Sequence, residues 1–427
     1  MYNLRGGFLV RPLLIALSLG ALGATFSWIE ELFPFTSAWV PAAIFPSHAD
    51  SQVAQVILQS IGASIMTVVS IVFAILLMTL TLASMQFSPR IILSFATDGV
   101  TQWTLGIFLG TFCYCMAALP AAHSLPQPFA PVATVLGAML LAVACVGWLL
   151  FFIHHISYAI SVNHMVDRIA AETERIVDEV MPWPRNPTHI AADEQIDQLL
   201  WKSTLPADTS GYIRFIDTNR LLLLAKQYRI KIRVMRRVGH FVPGGVTLLM
   251  ISRAERVSPE LIGELRAAID LGPSRTLQQD IEFGILQIVD IALKAISPAV
   301  NDPSTAISCI DQLSRIMIRV ASRQTPECGL FDPPGNLRVW IPRISFEGLF
   351  QSAFEQIRWY ARTDVAVSLR LLRGLGDIAS TIDDQSLRQK IVDRARHVFA
   401  GCAEQLGDDT LAEMRIRLSA LERAAGT

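Results

Sequence analysis

The side chains best suited to acid–base chemistry or ion binding lie in one stretch of the C-terminal half. They are Asp280, Gln287, Asp290, Lys294, Asn301 and Asp302. Asp280, Gln287 and Lys294 are seven residues apart and Asp290 is four residues before Lys294, so a helix would carry them on one narrow polar face. Asp290 and Lys294 are then close enough for an ion pair. The last two residues lie just beyond the predicted end of that helix.

Three roles are open for this polar face. The favoured one is structural, in which the side chains fix a helical hairpin and a contact between copies. The second is a polar ligand or ion site between Asp280, Asp290, Asn301 and Asp302. A catalytic acid–base pair is the least favoured, because the chain carries no P-loop, GxGxxG or HExxH motif around it. The cysteines have no metal-ligand spacing, so we expect neither a metal nor a cofactor.

The charge distribution indicates that this stretch lies in the part of the chain outside the membrane. Up to Leu150 the chain has three of its 36 Lys and Arg residues and four of its 37 Asp and Glu residues. Four apolar segments there, residues 8–28, 53–84, 103–119 and 131–158, are about 20 residues long or longer, the length needed to cross a bilayer. The first segment is too long for a secretory signal, and we expect it to remain as an anchor.

The few cations predict the orientation. Arg5 and Arg11 precede the first span, Arg90 lies between the second and third, and the loops 30–52 and 120–129 carry no Lys or Arg. By the positive-inside rule both termini and the C-terminal domain face the cytoplasm of a bacterial inner membrane.

The second span carries a stripe of small, hydroxyl and apolar residues. Its members are Ser60, Ser64, Thr67, Ile71, Ala74, Met78 and Thr81. Small residues of this kind favour close helix packing in membranes. Alternatively, the hydroxyls could line a pore, with Ile71, Ala74 and Met78 as a hydrophobic constriction. No Asp, Glu, Lys or Arg lies in the middle of any span, which disfavours an ion-coupled carrier.

Four arginines are candidates for contact with lipid headgroups. The other interpretation is that Arg90 is only an orientation signal and that the remaining three keep a solvated strand edge from aggregating. Arg90 follows the second span in the block QFSPR, and Arg233, Arg236 and Arg237 belong to the most basic stretch of the C-terminal half. That stretch precedes a Gly-x-x-Val-x-x-Gly-x-x-Leu spacing that resembles half of the barrel-sandwich fold of biotinyl carrier domains. We interpret it as a structural hairpin whose glycines supply turn conformations.

These patterns predict four regions. Residues 1–160 are a four-helix transmembrane domain, 161–205 an amphipathic linker helix that continues the fourth span, 206–256 a small α/β subdomain with a basic β-hairpin, and 257–427 a helical bundle. The helices of the bundle are predicted at residues 259–270, 277–296, 303–322, 345–362 and 364–382, with two more to the end. A Pro/Gly-rich loop is predicted at 326–342.

Three motifs resemble the signature of a bacterial membrane family called domain of unknown function 2254. They are the run QDIEFGILQIVDIALKAISPAVNDPSTA at residues 279–306, the block QFSPR at 86–90 and GTFCY at 110–114. The resemblance covers essentially the whole chain. It implies a multi-pass membrane protein with a cytoplasmic C-terminal domain, and it implies no activity and no catalytic residues.

The sequence therefore predicts an α-helical multi-pass membrane protein with four transmembrane helices and a mainly α cytoplasmic domain that contains a small β-hairpin or barrel-like subdomain. We expect a homo-oligomer whose second spans line a passive pore, with the cytoplasmic domain as vestibule or gate. The alternative is a membrane-anchored scaffold or sensor that binds a cytoplasmic protein or anionic lipid. An enzyme ranks third, and no nucleic-acid partner is expected.

Overall fold

The computed structural model describes residues 10–33, 51–86, 99–122, 129–159, 161–183, 201–332 and 335–425. The chain divides into two compact units, residues 1–161 and 162–427. Arg90 and most of the QFSPR block lie outside the described residues, as do most of the loops assigned to the face opposite the cations.

The N-terminal unit contains the predicted spans. Its helices are α1 Val10–Leu32, α2 Ser51–Gln86, α3 Gly99–Ala118 and α4 Val132–Ala159. Within the described residues four helices are long and apolar enough to cross a membrane, which confirms the prediction of four candidate spans. At about 1.5 Å per residue, α2 is about 54 Å long and exceeds the thickness of the hydrocarbon core.

The α3 helix is central in this unit and packs against the other three. It approaches α1 through glycines. A Cβ on Gly23 would lie 2.6 Å from the carbonyl oxygen of Tyr114, and a Cβ on Gly110 would lie 2.5 Å from Cδ1 of Leu19. Membrane helices approach this closely where small residues replace bulky ones. We call this contact the glycine seam.

A buried glutamate joins the end of α1 to the start of α4. Glu30 accepts hydrogen bonds from the backbone N–H of Ala133 at 2.8 Å, from that of Thr134 at 3.0 Å, and from the Thr134 hydroxyl at 2.8 Å. The residue is 2% exposed. A carboxylate is favourable there because the first N–H groups of a helix lack partners within it and carry partial positive charge.

The second unit begins with α5, Val162–Val180, which follows a non-helical Ser161. The expectation that the fourth span runs on as one unbroken helix is therefore wrong. The amphipathic pattern itself is confirmed, because the apolar face of α5 is buried against two helices of the same unit, α8 Ile281–Ala295 and α9 Pro303–Ala321. A Cβ on Gly284 would overlap the hydroxyl of Thr173, so α5 and α8 also meet at a glycine.

Arginines of α9 hold the polar side of α5. Arg315 pairs with Asp167 at 2.9 Å and with Glu174 at 2.5 Å. Arg319 pairs with Asp178 at 2.6 Å. These bridges are half exposed, so each adds little stability by itself. They align two helices that the apolar face already packs together.

Short strands and further helices follow α5 in the second unit. The strands are β1 Ser203–Pro206, β2 Gly211–Ile216, β3 Ile232–Val234, β4 Phe241–Val242, β5 Thr247–Ile251, β6 Ile269–Gly272, β7 Gly329–Asp332 and β8 Asn336–Trp340. The further helices are α6 Thr218–Gln227, α7 Pro259–Ala267, α10 Phe346–Tyr360, α11 Val365–Thr381, α12 Gln385–Ala403 and α13 Asp408–Ala425.

The strands form two small sheets. Five of them are ordered β1-β5-β3-β8-β7 and three are ordered β4-β2-β6. Within the segment of the predicted basic hairpin, β3 and β5 pair antiparallel, and β4 between them pairs with β2 of the other sheet. The strand β5 also pairs with β1. Gly239 and Gly245 have φ of 87° and 82°, which confirms that these glycines supply turn conformations.

Several strands, among them β6, β7 and β8, lie where no strand was predicted. The end of the helix predicted at residues 259–270 is β6, which pairs with β2. The predicted loop at 326–342 contains the β7–β8 hairpin, and β8 pairs in parallel with β3. Pro326 and Pro342 lie outside the strands and Gly335, with φ of 119°, lies in the turn, so composition alone suggested a loop.

The glycine seam generates a stability prediction. Gly23→Ala should lower the free energy of unfolding by about 1–3 kcal/mol, the usual cost of overpacking, because the new methyl group overlaps the Tyr114 backbone. The measurement is thermal unfolding of the full-length protein in detergent. Gly147→Ala on α4 is the control, because a Cβ there meets nothing within 4 Å. Equal melting temperatures for the two variants would contradict the seam.

Candidate functional site

The stripe on α2 faces away from its own helical unit. All seven members, from Ser60 to Thr81, are exposed. The opposite face of α2 supplies the buried contacts, through Ala54, Leu58, Ile65 and Val72. The stripe therefore does not pack against the other described helices of the same chain, and its outer face is open to lipid or to another copy.

Two of the hydroxyls on this face are bonded within the helix. Thr67 donates to the carbonyl oxygen of Ala63 at 3.1 Å, and Thr81 donates to that of Leu77 at 2.8 Å. These bonds satisfy the hydroxyl protons and lower the cost of exposing the side chains to hydrocarbon. Each oxygen keeps acceptor capacity for water or for a neighbouring helix.

The structure separates the polar residues of the 280–302 stretch. Asp280 is the N-cap of α8, and Asp302 is the N-cap of α9. The 15 residues of α8 lie between them, a span of about 22 Å at 1.5 Å per residue. The two ends are therefore two separate positions, and Asp280 does not share a site with Asn301 and Asp302.

The Asp280 end is a buried ion-pair cluster. We define the Asp280 cluster as Arg237, Arg275, Asp280 and Glu282. Arg275 binds Asp280 through Nε at 2.7 Å and through Nη2 at 2.8 Å, and the same Nη2 reaches Glu282 at 2.9 Å. Arg237 contacts both oxygens of Glu282 at 3.1 Å.

Opposite charges decide the ionisation of this cluster. Burial raises the pKa of Glu282, but the charges of Arg237 and Arg275 and their hydrogen bonds outweigh burial and lower it below the usual range. Burial likewise lowers the pKa of Arg275, and its bonds to Asp280 and Glu282 reverse that and raise it. Glu282 and Arg275 therefore stay charged at neutral pH.

Gly239 leaves room for the cluster. A Cβ at this position would overlap Oδ2 of Asp280 and would lie 2.7 Å from Nη2 of Arg275. Its φ of 87° also disfavours any other residue. The turn before β4 thus packs directly on the ion pair, and glycine is required for two independent reasons.

The other candidates of the stretch lie apart from this cluster. Gln287 is buried and its Oε1 has no hydrogen-bond partner in the described chain, whereas Asp290 and Lys294 are half-buried on α8. Asp302 accepts from the backbone N–H of Thr305 at 3.1 Å and from its hydroxyl at 2.6 Å, and these bonds lower the pKa of Asp302. Asn301 has φ of 49°, so this elbow is a turn and a helix cap.

The proposed lipid contacts fall in different surroundings. The guanidinium of Arg233 lies 4.9 Å from the ring centre of Trp340, and Arg236 donates to the carbonyl oxygen of Phe241 at 3.4 Å. Arg237 belongs to the Asp280 cluster, where it is mostly buried. A role in lipid binding stays a prediction for these residues.

Sequence reasoning identified Asp280 but missed its partners. Arg275 precedes Asp280 by five residues in a non-helical segment, and Arg237 is 43 positions away in the sequence. Neither distance corresponds to a helical or strand period. The one available signal was Glu282 in the first turn after an N-cap residue, and this pattern is common at helix starts. Among the described residues no cluster of three or more His, Cys, Asp or Glu could hold a metal ion.

The Asp280 cluster generates a second prediction. Arg275→Met should destabilise the protein by about 3–5 kcal/mol, because two buried carboxylates lose their main counter-charge. Thermal unfolding of the full-length protein measures this change. Arg220→Met is the control, since Arg220 pairs with Glu264 on the surface and its loss should hardly change the melting temperature.

A second variant separates charge from packing. Adding Asp280→Asn and Glu282→Gln to Arg275→Met removes the unpaired charges, so part of the lost stability should return. If Arg275→Met and Arg220→Met have equal melting temperatures, the cluster is not a stabilising element.

Comparisons with known proteins agree with the described architecture. The family model described as predicted membrane protein (DUF2254) matches residues 5–377. An uncharacterized protein of Mycobacterium tuberculosis strain H37Rv is 32% identical over 365 residues, which cover 82% of this chain and 68% of the relative. Uncharacterized proteins of Mycobacterium bovis and of M. tuberculosis strain CDC 1551 match with the same identity and coverage. No solved structure matches the chain.

The family match covers more than half of the chain, and the relatives share nearly a third of the aligned residues over most of it. The chain therefore belongs to the domain of unknown function 2254 family of predicted membrane proteins.

Proposed function

We propose that this membrane protein assembles with copies of itself in the bacterial inner membrane, and that the α2 helices of the copies line a passive pore. The observation that carries the proposal is the outward direction of the α2 stripe. A surface of small and hydroxyl-bearing residues on a lipid-exposed helix favours contact with another helix. The four-helix unit leaves this surface uncovered in the described part of the chain.

The chemistry of the stripe suits a pore more than a carrier. No Asp, Glu, Lys or Arg occurs in α2, so the path has no fixed charge and no proton-relay group. The exposed Ile71 and Met78, with Ala74 between them, could form a constriction that closes when it loses water. The hydroxyls on either side keep acceptor positions for water.

The cation distribution supports a cytoplasmic position for both termini. Arg5, Arg11 and Arg90 are the only cations before residue 150, and the loops of the opposite face have none. By the positive-inside rule residues 162–427 are then on the cytoplasmic side, and we assign them the role of a vestibule or gate.

A membrane-anchored scaffold is the second candidate function. The C-terminal end of α10 exposes Trp359 and Tyr360, at 55% and 64%. Aromatic residues are enriched in protein interfaces and are unusual in such exposure on a surface that binds nothing. In this alternative a cytoplasmic protein covers the aromatic pair, and the helices of the N-terminal unit serve as an anchor.

The test of the pore is single-channel current from the purified full-length protein in a planar bilayer. The protein should give discrete conductance steps. Thr67→Trp places a large ring at the middle of the stripe and should reduce or abolish the unit conductance. Val143→Trp is the matched control, because Val143 lies on α4 and is 70% exposed.

Two results would contradict the pore. Silence across voltage, tension and pH, from protein shown to be folded and inserted, would favour the scaffold. Conductance that changes equally in both tryptophan variants would show that α2 has no special relation to the path.

A further inference from the structure

A cleft in the C-terminal unit lies next to the Asp280 cluster. It is lined by the end of α5, the start of α8 and the segment before α10, through Met181, Arg237, Asp280, Pro326, Ile341 and Arg343. Its volume is about 50 Å³. At about 10–15 Å³ of such space per water molecule, it has room for a few waters or for one small polyatomic ion.

Arg343 is the unusual residue of this cleft. It is half-buried, and its Nε is shielded from solvent and has no hydrogen-bond partner. Within the part of the chain that the structure describes, no carboxylate pairs with its guanidinium. Burial lowers the pKa of Arg343 from its ordinary value, against a smaller opposing effect of Cys328. The fold therefore holds a desolvated cation without a counter-ion.

The other charges around the cleft compensate one another. Asp280 pairs with Arg275, and Glu282 pairs with Arg237. The carboxylate of Asp280 accepts two bonds from Arg275 and one from the backbone N–H of Phe283, so its oxygens are occupied. Among the described residues that line the cleft, Arg343 is the one whose positive charge has no carboxylate partner. An isolated buried charge is costly, and an arriving anion would remove that cost.

We propose that this cleft binds a phosphate group, with the Arg343 guanidinium as its principal ligand. A guanidinium offers parallel N–H donors whose geometry matches two oxygens of a phosphate. Arg237, at the wall of the cleft, contacts Glu282 through Nη2, so its remaining N–H groups are a second source of donors. The volume admits the phosphate group and leaves the rest of a larger ligand outside. The proposal is independent of whether α2 lines a pore.

Inorganic phosphate is the first probe. The melting temperature of the full-length protein in detergent is measured against phosphate concentration, with chloride added to keep the ionic strength constant. A ligand that binds the folded state raises the melting temperature. We expect a saturable rise for the native protein and a loss of at least about tenfold in phosphate affinity for Arg343→Met.

The phosphate-free melting temperature distinguishes binding from a structural role. Arg343→Met removes an uncompensated charge, so its melting temperature without phosphate should equal or exceed that of the native protein. Arg343→Lys keeps the charge and should bind phosphate more weakly than arginine does. Arg266→Met is the control, because Arg266 also has a buried Nε without a partner, but its guanidinium pairs with Asp208.

The source of the phosphate group is tested in nanodiscs. Discs of phosphatidylcholine alone are compared with discs that also contain phosphatidic acid. If a lipid headgroup occupies the cleft, phosphatidic acid should suppress the rise in melting temperature caused by free phosphate, and only when Arg343 is present. An equal rise in both kinds of disc would indicate a soluble phosphate compound. The proposal is overturned if phosphate has no effect on the native protein, or if Arg343→Met and Arg266→Met respond to it alike.

Discussion

The fold of the C-terminal unit depends on the neutralisation of one buried carboxylate. Asp280 is 3% exposed, and Arg275 supplies its counter-charge through an ion pair at 2.7 Å. The same arginine reaches Glu282, which also accepts a hydrogen bond from the Ser352 hydroxyl of α10 at 3.0 Å. Arg237 lies in the segment that precedes β4, and its ion pair with Glu282 connects that segment to the cluster. A single set of ion pairs thus joins a helix start, a sheet connection and a bundle helix.

Neighbouring contacts continue this connection into the small sheet. The Gln279 side chain accepts a hydrogen bond from the backbone N–H of Ile216 at 3.0 Å, at the end of β2. Gly239 allows the backbone to approach Asp280 without a clash. The segment from Arg275 to Phe283 is therefore the joint between sheet and bundle, and the unpaired Arg343 lies beside it. A ligand bound at Arg343 would act directly on this joint.

The helices of the N-terminal unit are held together by interactions of a different kind. Lipid offers no hydrophobic drive for helix association, so close approach and hydrogen bonding must hold the helices. The glycine seam supplies the close approach between α1 and α3. Glu30 satisfies the first N–H groups of α4. The stripe on α2 takes no part in these contacts and remains exposed.

Local patterns in the sequence predicted much of this architecture. The length of the apolar segments predicted the four candidate spans. Asp302 before Pro303 predicted the start of α9, because a cap residue and a first-turn proline act within one turn of helix. The amphipathic period likewise gave the buried face of α5. In each case the decisive interaction lies within a few residues of the signal.

Interactions between distant residues were not predictable from the same patterns. The strand Ile269–Gly272 is only four residues long and owes its conformation to pairing with β2. Arg275 shows no spacing that identifies Asp280 as its partner, and the stripe on α2 has the same pattern whether it faces inward or outward. A single sequence shows which residues share one face of a helix, but it does not show which part of the protein or which partner packs against that face.

We propose that copies of this protein meet along the outward face of α2. Disulfide crosslinking in native membranes tests it most directly, with Ala74→Cys on the stripe and Val146→Cys on the lipid-exposed face of α4, which is 61% exposed. The parent protein gives the background from its own cysteines. We predict an oxidant-dependent crosslinked dimer for Ala74→Cys alone. Equal crosslinking of both variants, or of neither, would contradict the claim.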